Sequence, residues 1–301
     1  MDLDLKDVHV LVTGANGGIG LETTRLFLGA RPFSFLPRTG IPLETNLPEH
    51  GARVTAHYRS SNAALTQLIS ETNHGRLRMV QADLSHEAQV QALFARPGNT
   101  GWGEVEIAVV DHGVYQWADV PLKDLPIEQW ERTLSDNLTS SFLVAREYLR
   151  GLERGGRAGP KTETGTGDRA ALVLVGSTAG KCGEAMHADY AASKSGIMYG
   201  LALSLKNEIV QVAPRARVNC VAPGWVRTPT ASEALQDPQI VYRSLATTPL
   251  RKVAEASDVA NQIVLLASAK VSGHVTGQVL MVEGGMEGRM LYMAADFGLD
   301  A

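Results

Sequence analysis

Tyr190 and Lys194 stand four residues apart in a stretch, from about Tyr190 to Val212, whose periodicity predicts a helix, so both side chains project from one face. A phenol with a pKa near ~10 is a poor acid–base group at neutral pH. An ammonium one turn away favours the phenolate and lowers that pKa. Ser177 ends a predicted strand, where its hydroxyl could hydrogen-bond a substrate oxygen. Many helices carry a Tyr-x-x-x-Lys pair by chance, so the pair gains meaning only from its surroundings.

A second signal lies near the N-terminus. Thr13-Gly14-Ala15-Asn16-Gly17-Gly18-Ile19-Gly20 follows a predicted strand and opens a predicted helix. Glycines there permit a tight turn and let backbone N–H groups approach a pyrophosphate at the helix N-terminus. At the end of the next strand an NAD site usually carries an acid for the ribose 2′-hydroxyl, whereas a 2′-phosphate requires a cation. The chain reads His57-Tyr58-Arg59-Ser60-Ser61 at that point. Tyr58 takes the acid's place, Arg59 can pair with a 2′-phosphate and Ser60 can donate to it, which points to NADP(H).

The elements that must position these groups alternate. Strands are predicted at Val8–Val12, Val54–His57, Leu77–Gln81, Ile107–Val110, Ala171–Val175, Arg217–Val221 and Val279–Val282. Helices are predicted at Leu21–Leu28, Ala63–Glu71, Glu87–Phe94, about Ile127–Leu149, about Tyr190–Val212 and after Asp258. Seven strands with helices between them read as one α/β domain over 1–301, a doubly wound parallel sheet with helices on both faces. Residues 29–48, with four prolines and a Gly-Ala-Arg triplet repeated at 29–31 and 51–53, read as an insertion rather than an element, with a lid or an oligomer contact as the alternative. Gly155 to Gly167 reads as a solvated loop.

The 301 residues are 44% hydrophobic and 20% charged, ordinary for a globular protein, and can bury a full core. A formal charge of −4 disfavours nucleic acid as a partner. Two cysteines, Cys182 and Cys220, offer neither a disulfide framework nor metal-ligand spacing, so no metal is expected. No apolar run is long enough to span a bilayer, and the acidic start Met1-Asp2-Leu3-Asp4 lacks the order of a secretory signal, so a cytoplasmic setting is expected.

Taken together, Thr-Gly-x-x-x-Gly-x-Gly near the N-terminus and a serine thirteen residues before Tyr-x-x-x-Lys resemble the short-chain dehydrogenase/reductase family, in particular its 3-oxoacyl-carrier-protein reductase-like group, from about Leu5 to Gly285. The resemblance implies a Rossmann-type fold and a ketone or aldehyde reductase (reversibly an alcohol dehydrogenase), in which Tyr190 is the general acid–base. Lys194 would lower its pKa and bind the nicotinamide ribose, Ser177 would orient the carbonyl, and Asn137 in the long helix would hold a relay water. It also implies that Asp83 and Leu84 meet the adenine. Pro223, Gly224, Val226 and Thr228 would hold the nicotinamide carboxamide. After the fourth strand the family's Asn-Asn-Ala-Gly is replaced by Val110-Asp111-His112-Gly113, which puts Asp111, His112 and Gly113 at the adenosine ribose with an altered chemistry. Residues 229–252 are expected to cover the substrate, with Trp225, Leu235, Tyr242 and Leu245 either lining an apolar pocket or packing the helix. Residues 286–301 form a C-terminal extension that packs on a neighbouring subunit or closes the cleft. A homodimer or homotetramer is expected on resemblance alone. An epimerase or dehydratase with the same Tyr/Lys pair, a non-catalytic NADP-binding module and an inactive splice product are the rival readings.

Overall fold

The computed structural model describes residues 2–29, 51–72, 75–95, 101–115, 118–158, 166–286, 288 and 292–298. Seven strands form one sheet: β1 (His9–Thr13), β2 (Arg53–Tyr58), β3 (Leu77–Gln81), β4 (Ile107–Val110), β5 (Ala171–Val175), β6 (Arg217–Pro223) and, last in the chain, Val279–Val282. The helices on its faces are α1 (Gly18–Leu28), α2 (Ala63–Thr72), α3 (Glu87–Ala95), α4 (Ile127–Leu134), α5 (Ser140–Ala158), α6 (Thr178–Cys182), α7 (Ala188–Ser195) and α8 (Ala202–Val212). Beyond them lie the two-residue strands β7 (Val226–Arg227) and β8 (Ala254–Glu255), α9 (Pro238–Leu245), α10 (Ala256–Ala267) and α11 (Ala269–Ser272), and the chain returns to the sheet as β9 (Val279–Val282). All neighbours in the order β3-β2-β1-β4-β5-β6-β9 are parallel. The winding reverses between β1 and β4, which opens a crevice at their carboxyl ends.

Strand side chains alternate between two apolar layers, as a period of two requires when both faces are covered. Leu11, Ala108, Val110, Leu172 and Leu174 pack with Val144, Tyr148 and Ile209 on one side. Val10, Val12, Ile107, Val109, Val173 and Val175 pack with Phe27, Leu68 and Ile263 on the other. Gly29, at φ 74, stops α1 by donating its N–H to the carbonyls of Arg25 and Leu26. The insertion expected at 29–48 otherwise lies outside the described residues.

Three features depart from the sequence reading. The long helix is interrupted by a π-helical turn, Ser135–Thr139, and a second π turn, Gly196–Leu201, sits between α7 and α8. The segment 229–252 carries α9, started by Asp237, whose carboxylate accepts the Gln239 N–H ahead of Pro238 at the first helical position. Its two ends are tied by the parallel pairing of β7 with β8. The Gly155–Gly167 loop begins later than expected because α5 continues to Ala158.

Described parts of the tail fold onto that same segment. Tyr292 donates its N–H to the Ala246 carbonyl at 3.1 Å, and Arg251 stacks over the Tyr292 ring at 4.6 Å. Tyr242 meets Phe297 edge-on at 5.4 Å. Among the described residues no helix is long and apolar enough to cross a membrane.

Arg217 opens β6 fully inside the molecule and ties down the end of α10, donating to the carbonyls of Leu266 (2.5 Å), Ala267 (2.8 Å) and Ser272 (3.1 Å). Burial pulls its pKa down, yet three carbonyls keep the charge solvated. Arg217→Met keeps the volume and strands those acceptors, so it is expected to cost about 2–4 kcal/mol. The urea midpoint should fall accordingly; an unchanged midpoint would show the tether to be dispensable.

Candidate active site

A cleft of about 1010 Å³ runs along the carboxyl edge of the sheet, from Gly14 and Gly18 past Arg59, Asp83 and His112 to Tyr190, Lys194 and Thr228. At one end α1 begins with no side-chain cap and no acid in its first turn. The N–H groups of Gly18 and Ile19 are therefore free of intrahelical partners and available to an anion at the positive end of the helix. Gly18 itself lies against the chain leading into segment 229–252: a Cβ there would stand 2.7 Å from the Thr228 methyl. A cleft of this length with an uncapped helix end fits a dinucleotide pyrophosphate.

Not every residue of the Gly-rich stretch faces the cleft. Thr13 is buried, and its hydroxyl accepts the Asp111 N–H at 3.0 Å while donating to the Val109 carbonyl at 3.2 Å. Asn16 borders the cleft, but its side-chain oxygen accepts the Ala64 and Leu65 N–H groups and so caps α2. Gly20 is buried beside Asp111, whose carboxylate accepts the Gly20 N–H. These three were expected to touch cofactor; the structure uses Thr13 and Gly20 and the Asn16 side chain to hold the turn.

Beside the turn, Asp83 accepts from the N–H (3.0 Å) and hydroxyl (2.7 Å) of Ser85, and Leu84 follows it into the cleft wall. Arg59, half exposed, stands 3.7 Å from Asp136, next to Ser60 and Ser61. His57, unremarked in the sequence, accepts the Gly14 N–H at 3.2 Å and donates to the Ala82 carbonyl at 2.9 Å, which fixes its tautomer. Burial holds its pKa down and keeps it neutral.

The chain leaving β4 is clamped from both sides. His112 bridges the hydroxyls of Thr13 and Ser140, each at 2.8 Å, and burial drives its pKa far below the usual imidazole range. A neutral His112 therefore ties β1 to the start of α5. Asn137, in the first π turn, accepts the Val114 N–H at 2.9 Å and donates to the carbonyls of Val114 and Thr133, both at 3.0 Å. Its amide is fully spent on backbone and does not line the cleft. It stands close to the Tyr190–Lys194 pair: a Cβ on Gly113 would lie 2.7 Å from its oxygen and 3.4 Å from the Lys194 ammonium.

Ser177, Tyr190 and Lys194 come together beside this clamp. Ser177 caps α6 by accepting the Ala179 N–H at 3.1 Å, and its hydroxyl also hydrogen-bonds Tyr190. Lys194 lies beneath the phenol, its Nζ 5.7 Å from the ring centre and donating to the Val175 carbonyl at 3.0 Å. Burial lowers the Lys194 pKa, with the Asp111 carboxylate acting against it. Burial also pushes Tyr190 up to about 12, with Ser177 opposing and Glu184 and Asp111 adding to the rise. Desolvation dominates this phenol in the protein alone, and the Lys194 ammonium gives its hydrogen bond to backbone.

The cleft is also lined by Pro223, Gly224, Trp225 and Val226, by Tyr115, Glu184 and His187, and by Ile240, Arg243 and Met286. Tyr115 stands edge-on to Tyr190 at 5.0 Å, tilts over His187 at 4.7 Å and donates its hydroxyl to Glu184 at 3.0 Å. The sequence reading missed this trio, which the loop after β4 and the loop between α6 and α7 bring together. Of the four side chains offered for the substrate pocket only Trp225 borders the cleft; Leu235 and Leu245 line a separate cavity of about 430 Å³, and Tyr242 packs on the tail. Asp189, also missed, is buried and holds α7 to α4 by accepting from Thr133 (2.7 Å) and Gln129 (3.3 Å).

The family model described as "Enoyl-(Acyl carrier protein) reductase" matches residues 44–287. The chain belongs to the short-chain dehydrogenase/reductase family. It is 30% identical to the 3-oxoacyl-[acyl-carrier-protein] reductase FabG of Vibrio cholerae, over 94% of this chain and 99% of that one. It is 31% identical to 3beta-hydroxysteroid dehydrogenase 1 of Eggerthella lenta, over 98% of each. The crystal structure of a Brucella melitensis protein titled short-chain dehydrogenase/reductase SDR:Glucose/ribitol dehydrogenase superposes with a TM-score of 0.75 at 26% identity, covering 95% of this chain and 99% of that one. As a short-chain dehydrogenase/reductase the protein is an oxidoreductase of alcohol and carbonyl groups.

Within this family member Asp111 stands out, because burial raises its carboxyl pKa to about 8 against the pull of Lys194 and the Gly20 N–H. A folded-state pKa above the unfolded value means that the native protein keeps a proton the unfolded chain has released, so stability falls as pH rises from about 4 toward 8. Asp111→Asn is therefore expected to gain stability over the native chain, by at least ~1 kcal/mol more at pH 9 than at pH 5. Urea unfolding at both pH values checks this, and an equal effect at the two would contradict it.

Proposed function

We propose that the protein is an NADPH-dependent carbonyl reductase in which Tyr190 is the proton donor. The observation that carries the proposal is the Ser177–Tyr190–Lys194 group at the end of a cleft whose other end offers an uncapped helix N-terminus with Arg59 and Ser60 beside it. When bound, the nicotinamide supplies the hydride. Thr228, Val226 and the Pro223–Gly224 turn would hold its carboxamide, and Asp83, Leu84 and the 111–113 backbone would flank the adenosine.

Ser177 and Tyr190 both offer a hydroxyl to the carbonyl oxygen. Their mutual hydrogen bond points the two at one spot, so they polarise the carbonyl before any proton moves. Tyr190 then gives its proton to the oxygen as the alkoxide forms. A phenol held near pKa 12 by burial stays protonated at neutral pH, which suits a proton donor, and an alkoxide is basic enough to take the proton from it. The Lys194 ammonium beneath the ring stabilises the phenolate left behind, and Asn137 keeps the 113–114 backbone in place so that Lys194 retains its position.

The NADPH preference rests on Arg59 and on the absence of an acid at Tyr58. The Arg59–Asp136 pair is long at 3.7 Å and half exposed, a contact worth about 0–1 kcal/mol, so a phosphate dianion can take the guanidinium from it.

Fluorescence titration of the purified protein should show NADPH binding at least about tenfold tighter than NADH, and Arg59→Glu should abolish or reverse that ratio. Ketone-dependent oxidation of NADPH should fall by about a hundredfold or more in Tyr190→Phe with NADPH affinity retained. Net consumption of NADPH separates a reductase from an epimerase or dehydratase; equal affinity for the two cofactors would reject the NADPH assignment.

A further inference from the structure

The substrate side of the cleft carries a charge that the proton transfer does not use. Glu184 lines the cleft on the loop between α6 and α7, six residues ahead of Tyr190. Among the described residues its carboxylate takes one hydrogen bond, from the Tyr115 hydroxyl at 3.0 Å. That bond holds the Tyr115 ring edge-on against Tyr190, with the ring centres 5.0 Å apart, so the carboxylate lies within about one ring's reach of the reacting phenol. A carboxylate has about four lone-pair directions, and one donor leaves most of them to whatever enters the cleft. The nearest imidazole, His187, is turned to Asp119 at 3.2 Å rather than to Glu184.

We infer that Glu184 is a specificity-determining residue, which accepts a hydrogen bond from a hydroxyl or ammonium group carried by the carbonyl substrate and disfavours substrates that bear their own carboxylate. The inference rests on the carbonyl-reductase reading above and adds to it a substrate class: hydroxy- or amino-ketones. Two charge effects act in the same direction. A substrate donor replaces water on a charged acceptor in a partly closed cleft, where such bonds are stronger than neutral ones. A substrate carboxylate placed there meets like charge, since among the described residues Glu184 forms no ion pair that would offset it. Arg243 lines the cleft from α9 on the lid, so the opposite preference, with an acid held by Arg243, is the competing outcome that the test must separate.

Three ketones that share one ring serve as probes: cyclohexanone, 4-hydroxycyclohexanone and 4-oxocyclohexanecarboxylate. With NADPH, kcat/KM is expected to be about tenfold higher for the hydroxyketone than for cyclohexanone, and at least tenfold lower for the keto acid. In Glu184→Gln both preferences should shrink toward unity, whereas Tyr115→Phe, which keeps the carboxylate, should still reject the keto acid. A keto acid preferred by the native enzyme, or preferences unchanged in Glu184→Gln, would overturn the assignment. The same three ketones are titrated calorimetrically into the NADPH-loaded Tyr190→Phe protein, where no turnover is needed. Discrimination in binding without turnover by the native chain would sink the reductase reading and leave Glu184's role standing; turnover without discrimination would do the reverse.

Discussion

The chain leaving β4 passes through a gap one backbone wide. On one side is the phosphate turn, where a Cβ on Gly14 would stand 2.9 Å from the Cα of His112. On the other is the π turn, where a Cβ on Gly113 would meet the Asn137 oxygen at 2.7 Å. Residues 111–114 pass through that gap with four of their backbone polar groups matched. The matching is done by Thr13 for the 111 and 112 N–H groups and by Asn137 for both polar atoms of Val114. Both the Gly14 turn and the Lys194 region of the cleft abut this strip, so its path bears on the separation between the Gly-rich turn and Tyr190.

This explains why several polar side chains face inward. A hydroxyl such as Thr13 or an amide such as Asn137 costs free energy to bury unless its bonds are made, and both here make all they can. His112 extends the strip by one more bridge. A smaller side chain would leave Thr13 and Ser140 without this link, whereas the imidazole spans them while staying neutral. The substitution of the family's alanine by histidine is thus accommodated by hydrogen bonding rather than by charge, and the π turn gains a tie to the sheet.

Much of the fold was legible because local pattern and tertiary need agree. Leu77–Gln81, Ile107–Val110, Ala171–Val175 and Val279–Val282 were bounded correctly; for the fully buried Ile107–Val110 and Ala171–Val175, short apolar runs covered on both faces have few alternatives. The meeting of Ser177, Tyr190 and Lys194 was legible from type and spacing between β5 and α7. The tie of Asn16 to α2, the burial of Thr13 and the Tyr115–Glu184–His187 arrangement were not, because each depends on a partner tens of residues away. Helix α9 is a different case: Asp237-Pro238 is a local start signal that was open to reading and passed over.

The cleft is electrically uneven along its length, and the tyrosine sits where the sign changes. Toward the phosphate turn lie free N–H groups at a helix start, Arg59 and the Lys194 ammonium, all suited to an anionic nucleotide. Beyond Tyr190 lie Glu184 and Asp119, with Arg243 held apart on the lid. Asp111 interrupts the first half with a carboxyl that burial pushes up to about 8, which weakens the opposition it offers a dinucleotide. The same burial raises Tyr190, and Glu184 adds to it from the other side. Proton affinity at the reacting oxygen therefore reflects both ends of the cleft at once, and filling either end changes the charge and the solvent that the phenol meets.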